Sequence, residues 1–131
     1  MGEILDSKLE DFQNALTSLE SVLEREKSEL VRDSTIKRFE YTFDSGWKTA
    51  KRYLKDELGI DERSPKKVIR ELRKNGLINA EKAEKFLEMT DDRNKSVHSY
   101  NKEFIEGLYS DIKEEYFDLL KDLYKILLQR R

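Results

Sequence analysis

Apolar residues recur along this chain at spacings of three and four. Leu5, Leu9, Phe12, Leu16, Leu19 and Leu23 form the first run, and Leu30 extends it seven residues on. A heptad seam of this kind lies on one helical face and predicts a first long helix over about residues 4–31. Its start falls between residues 3 and 7, with Ser7 and Glu10 placed as a capping box. Asp33 and Ser34 are the cap candidates dividing it from a second helix, which carries Ile36, Phe39, Phe43, Trp47, Ala50, Leu54 and Leu58. Gly59 is suited to the left-handed residue that closes that helix, with Ile60 folding back on its end. Ser64 and Pro65 open a short third helix whose Val68, Ile69 and Leu72 face inward, and Asn75-Gly76 stops it. Asn79 caps a fourth helix with Ala83, Phe86 and Leu87, extended by Met89 and Val97. Asn101 opens the last, with a seam of Phe104, Ile105, Leu108, Ile112, Tyr116, Leu119, Leu123, Ile126 and Leu127. Three long and two shorter amphipathic helices must bury their stripes on one another. The expected fold is all-α, an up-and-down bundle of four or five helices.

Composition changes this picture little. A chain with 41% charged and 37% hydrophobic residues is either disordered or built of helices with wide solvated faces. Six Phe, six Tyr and one Trp argue for the second, and one Pro with five Gly leaves little material for the turns of an all-β fold. The 131 residues suit one domain, residues 1–131. Charge adds an exclusion: 26 basic against 28 acidic residues give a net −2, so any nucleic-acid contact needs a local patch. Without cysteine and with a single histidine, disulfides, thiol nucleophiles and multi-histidine metal sites within one chain are excluded, and no cofactor or metal is expected. No apolar run approaches the roughly 18–20 residues of a membrane span. The first residues, MGEILDSKLED, lack the basic start and apolar stretch of a secretory signal. The expected location is the cytoplasm, with no membrane partner.

Candidate chemistry is sparse. The five glycines are too scattered for a phosphate-binding loop, no serine sits in a nucleophile elbow, and carboxylate pairs such as Asp91-Asp92 and Glu114-Glu115 are expected in a chain this acidic. One stretch stands apart: Asp92-Arg93-Asn94-Lys95-Ser96-Val97-His98-Ser99-Tyr100. His moves protons near neutral pH, and Arg offers a fixed cation with a forked donor set for phosphate. Together they suit phosphodiester cleavage, the His taking the proton of a ribose 2′-hydroxyl and the Arg stabilising the phosphorane. Positions five apart on an ideal helix point about 140° away from each other, so Arg93 and His98 share a cleft only if the helix ends or distorts between them. Asn94 and His98 share a face without distortion. The plainer reading is a half-exposed His at a helix C-terminus, favoured there by the dipole.

Two further segments carry weaker signals. Glu40, Phe43 and Trp47 lie on one face of the second helix, so Glu40 sits beside an aromatic stripe and needs a partner, with Arg93 or His98 as candidates. Gly46 in that helix implies close approach of another element, and Asp44 with Lys48 reads as a surface pair. Arg63 to Lys74 holds Arg63, Lys66, Lys67, Arg70, Arg73 and Lys74 against one acid, Glu71. That helix is either a local patch for RNA backbone or a solvated face opposite Val68 and Leu72.

The segments RFEYTFDSGWKTAKRYL and DRNKSVHSY, in this order and separation, resemble the HEPN superfamily, and more narrowly its nucleotidyltransferase substrate-binding branch. The resemblance covers nearly the whole chain. It implies a HEPN-like four- or five-helix bundle that forms a homodimer, bringing two Arg-His pairs to a shared cleft. It also implies a partnership with a minimal nucleotidyltransferase in a toxin–antitoxin-like module. Arg93 and His98 then form the pair for metal-independent RNA cleavage, Asn94 is the polar residue after the arginine, and Tyr100 is the tyrosine to which the cognate enzyme adds AMP. Glu40, Lys48 and Asp92 are supporting positions, and Lys66, Lys67, Arg70, Arg73 and Lys74 are candidates for RNA contact. The alternative within the branch is a non-catalytic subunit that binds substrate or nucleotide for the nucleotidyltransferase. Tyr41, Tyr53 and Tyr109 are candidate aromatics for a dimer interface.

Overall fold

The computed structural model describes residues 2–98 and 101–130 of the chain. Among them every regular element is helical: α1 (Glu3–Leu23), α2 (Glu29–Leu58), α3 (Pro65–Lys74), α4 (Ala80–Ser96), α5 (Lys102–Asp111), a π turn (Ile112–Tyr116) and α6 (Phe117–Arg130). The last three run on as one rod. Helix α2 is the central strut, about 45 Å long at the usual helical rise. Helices α1, α3, α4 and the final rod all pack against it.

The first connection differs from the sequence expectation. Helix α1 stops at Leu23 instead of continuing to residue 31, and α2 begins at Glu29, before Asp33 and Ser34. Residues Glu24 to Lys27 supply no apolar side chain for the seam, so extending the helix buries nothing. Ser28, in extended backbone, accepts from the Val31 N–H at 3.1 Å and caps the new helix instead. Leu30, expected in the first seam, is 83% exposed. The Ser7–Glu10 capping box also fails, because the helix is already running from Glu3 and its N-cap is Gly2.

Other termini follow local chemistry. Gly59 adopts a left-handed φ of 69°, and the Ile60 N–H reaches back to the Leu54 carbonyl at 3.0 Å. Asn79 and Asn101 accept from Lys82 and Phe104 N–H groups at 2.8 and 3.0 Å and start α4 and α5. Pro65 occupies the first turn of α3, although Ser64 makes no side-chain cap.

Helices α1 and α2 meet along a stripe of small and hydroxyl residues that hydrophobic spacing does not reveal. Thr42 and Thr49 each satisfy a carbonyl four residues back at 2.7 Å. Each hydroxyl shares its one proton with a carbonyl across the interface, Ala15 O at 3.2 Å and Lys8 O at 3.1 Å. Between them Gly46 faces Phe12, whose Cζ lies 2.9 Å from where a glycine-replacing Cβ would stand. This is the close approach that the glycine implied.

In the last rod the buried residues Leu108, Ile112, Tyr116 and Leu120 are spaced four apart three times running. On an ideal α-helix that spacing drifts about 40° per step and leaves the core. The wider π turn absorbs the drift. It is also why Leu120 is buried while Leu119, expected in the seam, is only half-buried. Leu77 and Ile78, beyond α3, join the core. Val97 and Leu58, expected inward, are 46% and 44% exposed, since each sits at a helix end beyond the packed stretch. Tyr53 and Tyr109 are buried and so cannot line an interface; of the three candidate tyrosines only Tyr41 is exposed.

Candidate functional site

The site is built where the last turns of α4 cross the middle of α2. Arg93 projects from α4 onto α2, where its guanidinium lies 5.8 Å from the centroid of the Phe43 ring. Its Nη2 donates to Asp44 Oδ1 at 3.3 Å, and its Nη1 to the neighbouring Asn94 Oδ1 at 3.2 Å. Asp44 is the hub of this cluster. Beside Arg93 it takes Trp47 Nε1 at 3.2 Å and Lys48 Nζ at 2.9 Å. Lys48 thus reaches the site through Asp44, so the expected surface pair is one edge of a larger network. The Arg93 Nε is buried and makes no hydrogen bond among the described residues.

Glu40 finds neither Arg93 nor His98. Its partner is Ser96, whose hydroxyl donates to Glu40 Oε2 at 2.6 Å and also lies 2.9 Å from the Arg93 carbonyl. A carboxylate beside aromatics suggests a cation, whereas the helix crossing brings the Ser96 hydroxyl to it instead. On the opposite flank Asp92 accepts from the Tyr116 hydroxyl at 2.5 Å. Burial pushes the ionisation of Tyr116 well above the ordinary tyrosine range, and the Asp92 bond and charge add to it. Asp111 is likewise raised, by burial first and then by Asp92 and neighbouring glutamates. Three consecutive braces, Asp92–Tyr116, Arg93–Asp44 and Ser96–Glu40, therefore pin the end of α4 between α2 and the last rod.

Helix α4 ends at Ser96, between Arg93 and His98. The His98 N–H bonds the Lys95 carbonyl at 3.2 Å, and its exposed imidazole stands outside the braced cluster. Tyr100 lies outside the described residues. On α3, Lys66 is paired with Asp91 at 2.6 Å, while Lys67, Arg70, Arg73 and Lys74 are exposed. Among the described residues no group of three metal-binding side chains comes together, and no helix is long and apolar enough to cross a membrane.

A family model described as nucleotidyltransferase substrate binding protein like matches residues 7–129. A Thermus thermophilus protein of solved structure is 36% identical, with a TM-score of 0.83, over 92% of this chain and 99% of that one. A tri-AMPylated Shewanella oneidensis HEPN toxin, solved in complex with an MNT antitoxin, superposes with a TM-score of 0.80 at 15% identity, over 98% of this chain and 99% of the toxin. A toxin–antitoxin structure with AMP-PNP gives a TM-score of 0.79 at 14% identity, over 97% and 99% of the two chains. These last two share the helical fold. No curated protein matches the chain.

Proposed function

We propose that this chain, which belongs to the nucleotidyltransferase substrate binding protein like family, is the HEPN partner of a minimal nucleotidyltransferase in a two-component, toxin–antitoxin-like module. In this reading it is a metal-independent ribonuclease, silenced when the partner adds AMP to Tyr100. The family match and the likeness to HEPN toxins solved with MNT antitoxins support the partnership. The observation that carries the chemistry is the contrast at the end of α4: Arg93 is clamped in place, while His98, just beyond the helix terminus, is open to solvent.

A fixed guanidinium and an exposed imidazole suit the two demands of cleavage. Neutral His98 takes the proton from a ribose 2′-hydroxyl, and the 2′-oxygen attacks phosphorus. Arg93 holds the charge of the phosphorane, and the P–O5′ bond breaks as the His98 imidazolium gives its proton to the departing 5′-oxygen. A homodimer doubles the pair across one cleft. An AMP on Tyr100, two residues along the chain from His98, adds phosphate charge and bulk that oppose the entry of RNA phosphate. Lys67, Arg70, Arg73 and Lys74 supply a local cationic face in a chain of net charge −2.

A second reading, a subunit that binds substrate or nucleotide without cleaving it, is favoured by one observation: Asp44 and Asn94 already engage the Arg93 fork. Incubation of wild type and His98→Ala with mixed RNA in chelator separates the two. Cleavage by wild type alone is expected, and absence of cleavage by a protein whose intact mass excludes an AMP adduct assigns the binding role.

A further inference from the structure

A groove of about 730 Å³ runs between α1 and α2. Its wall includes Asp44, the same residue that holds Arg93. Its most prominent side chain is Tyr41, a large aromatic left 72% exposed. Tyr41 precedes Asp44 by three residues, so the two share a helical face. Lys37, one turn before Tyr41, is exposed and makes no ion pair among the described residues. The side chains of Asn14 and Ser45 line the same groove without a hydrogen bond among those residues. Ala15 contributes a small apolar patch.

We infer that this groove is a nucleoside subsite, in which Tyr41 stacks a base of single-stranded RNA whose chain continues past Asp44 to Arg93. An exposed aromatic face beside a free cation is the pairing that single-strand binding uses, because every base offers a π-face and every linkage a negative charge. The unused amide of Asn14 and hydroxyl of Ser45 are able to meet a base edge or a ribose hydroxyl. The subsite shares the Asp44 wall with the braced cluster that holds Arg93. Its choice of RNA rests on the ribonuclease reading; stacking itself does not require cleavage.

The test uses a labelled 2′-O-methyl RNA oligonucleotide, which lacks the 2′-hydroxyl nucleophile, and follows its anisotropy with wild type, Tyr41→Ala and Tyr41→Phe. Tyr41→Ala is expected to weaken binding roughly 5- to 150-fold, the span of a single lost base stack, while Tyr41→Phe stays within about twofold of wild type. Equal affinity of Tyr41→Ala and wild type, or no binding by wild type, overturns the subsite. So does a Tyr41→Ala protein whose weaker binding follows a change from dimer to monomer in sedimentation, since Tyr41 then belongs to an interface between copies. Tyr41-dependent binding without cleavage of ordinary RNA leaves the subsite standing and removes the catalytic reading alone.

Discussion

The carboxylate of Asp44 on α2 accepts from the guanidinium of Arg93 on α4 at 3.3 Å, across 49 positions of chain. The same carboxylate takes Trp47 and Lys48, so the arginine is oriented by a group that is itself held from two further sides. Both partners are partly open to water, which limits the energy of the contact. A double-mutant cycle of Asp44→Ala and Arg93→Ala in urea is expected to give a coupling of about 0.5 kcal/mol. Additive losses would remove Asp44 as the anchor. On the proposed ribonuclease reading, cleavage should fall further in Asp44→Ala than in Lys48→Ala, because only the first frees Arg93.

Tyr116 is braced in the opposite sense, as a buried donor to Asp92. Its folded ionisation lies above the ordinary value of 10.0, first from burial and then from Asp92. The native state therefore keeps a proton that the unfolded chain releases. The stabilisation is complete below pH 10.0 and declines as pH rises above it. Ultraviolet titration should show tyrosine absorbance that ionises late, from Tyr116 and from Tyr53, which burial also raises. Tyr116→Phe should lose about 1 kcal/mol at neutral pH and shrink that late phase by the Tyr116 contribution, leaving that of Tyr53.

At the far end of the bundle, Glu106 ties α5 to buried Arg32 at 2.9 Å and to Lys27. Hydrogen bonds from Lys27 and Arg32 hold the Glu106 carboxyl below its ordinary 4.5. Its contribution is present above pH 4.5 and is lost as pH falls through the lower folded value. Glu106→Gln should melt lower than wild type at neutral pH, with the gap closing in acid. A gap that stayed constant would assign the effect to shape instead of charge.

Gly46 faces two opposing effects when replaced by alanine. Helix propensity favours alanine by about 1 kcal/mol. The added methyl, however, lands 2.9 Å from Phe12 Cζ, and Phe12 is fully buried with its ring edge-on to Tyr124. Overpacking of this kind costs about 1–3 kcal/mol, so Gly46→Ala should destabilise the fold by about 1 kcal/mol on balance. Denaturant melts check the sign; a more stable Gly46→Ala would mean that Phe12 yields.

Which parts of this molecule were legible in the residues divides along a physical line. The stops at Gly59 and Gly76 and the starts at Asn79 and Asn101 were readable, because a cap is chosen by side chains within a few positions of the backbone groups it satisfies. The inward faces of α2, α3 and α4 followed from spacing for the same reason, except at Leu58 and Val97, which lie beyond the packed stretch. The end of α1 was not readable, since Leu30 keeps the heptad whether or not a neighbouring helix is there to cover it. Tyr41, Tyr53 and Tyr109 look alike in sequence, yet one is exposed and two are buried. Likewise, the residues of the Arg93 to His98 stretch were singled out by their chemistry, but Ser96 as the partner of Glu40, Asp44 as the anchor of Arg93 and Tyr116 as the brace of Asp92 were not. Those pairings depend on the rotation and crossing of α2, α4 and a rod whose π turn resets its own phase. Local sequence determines which residues a helix presents and where it stops; only packing decides what each of them meets.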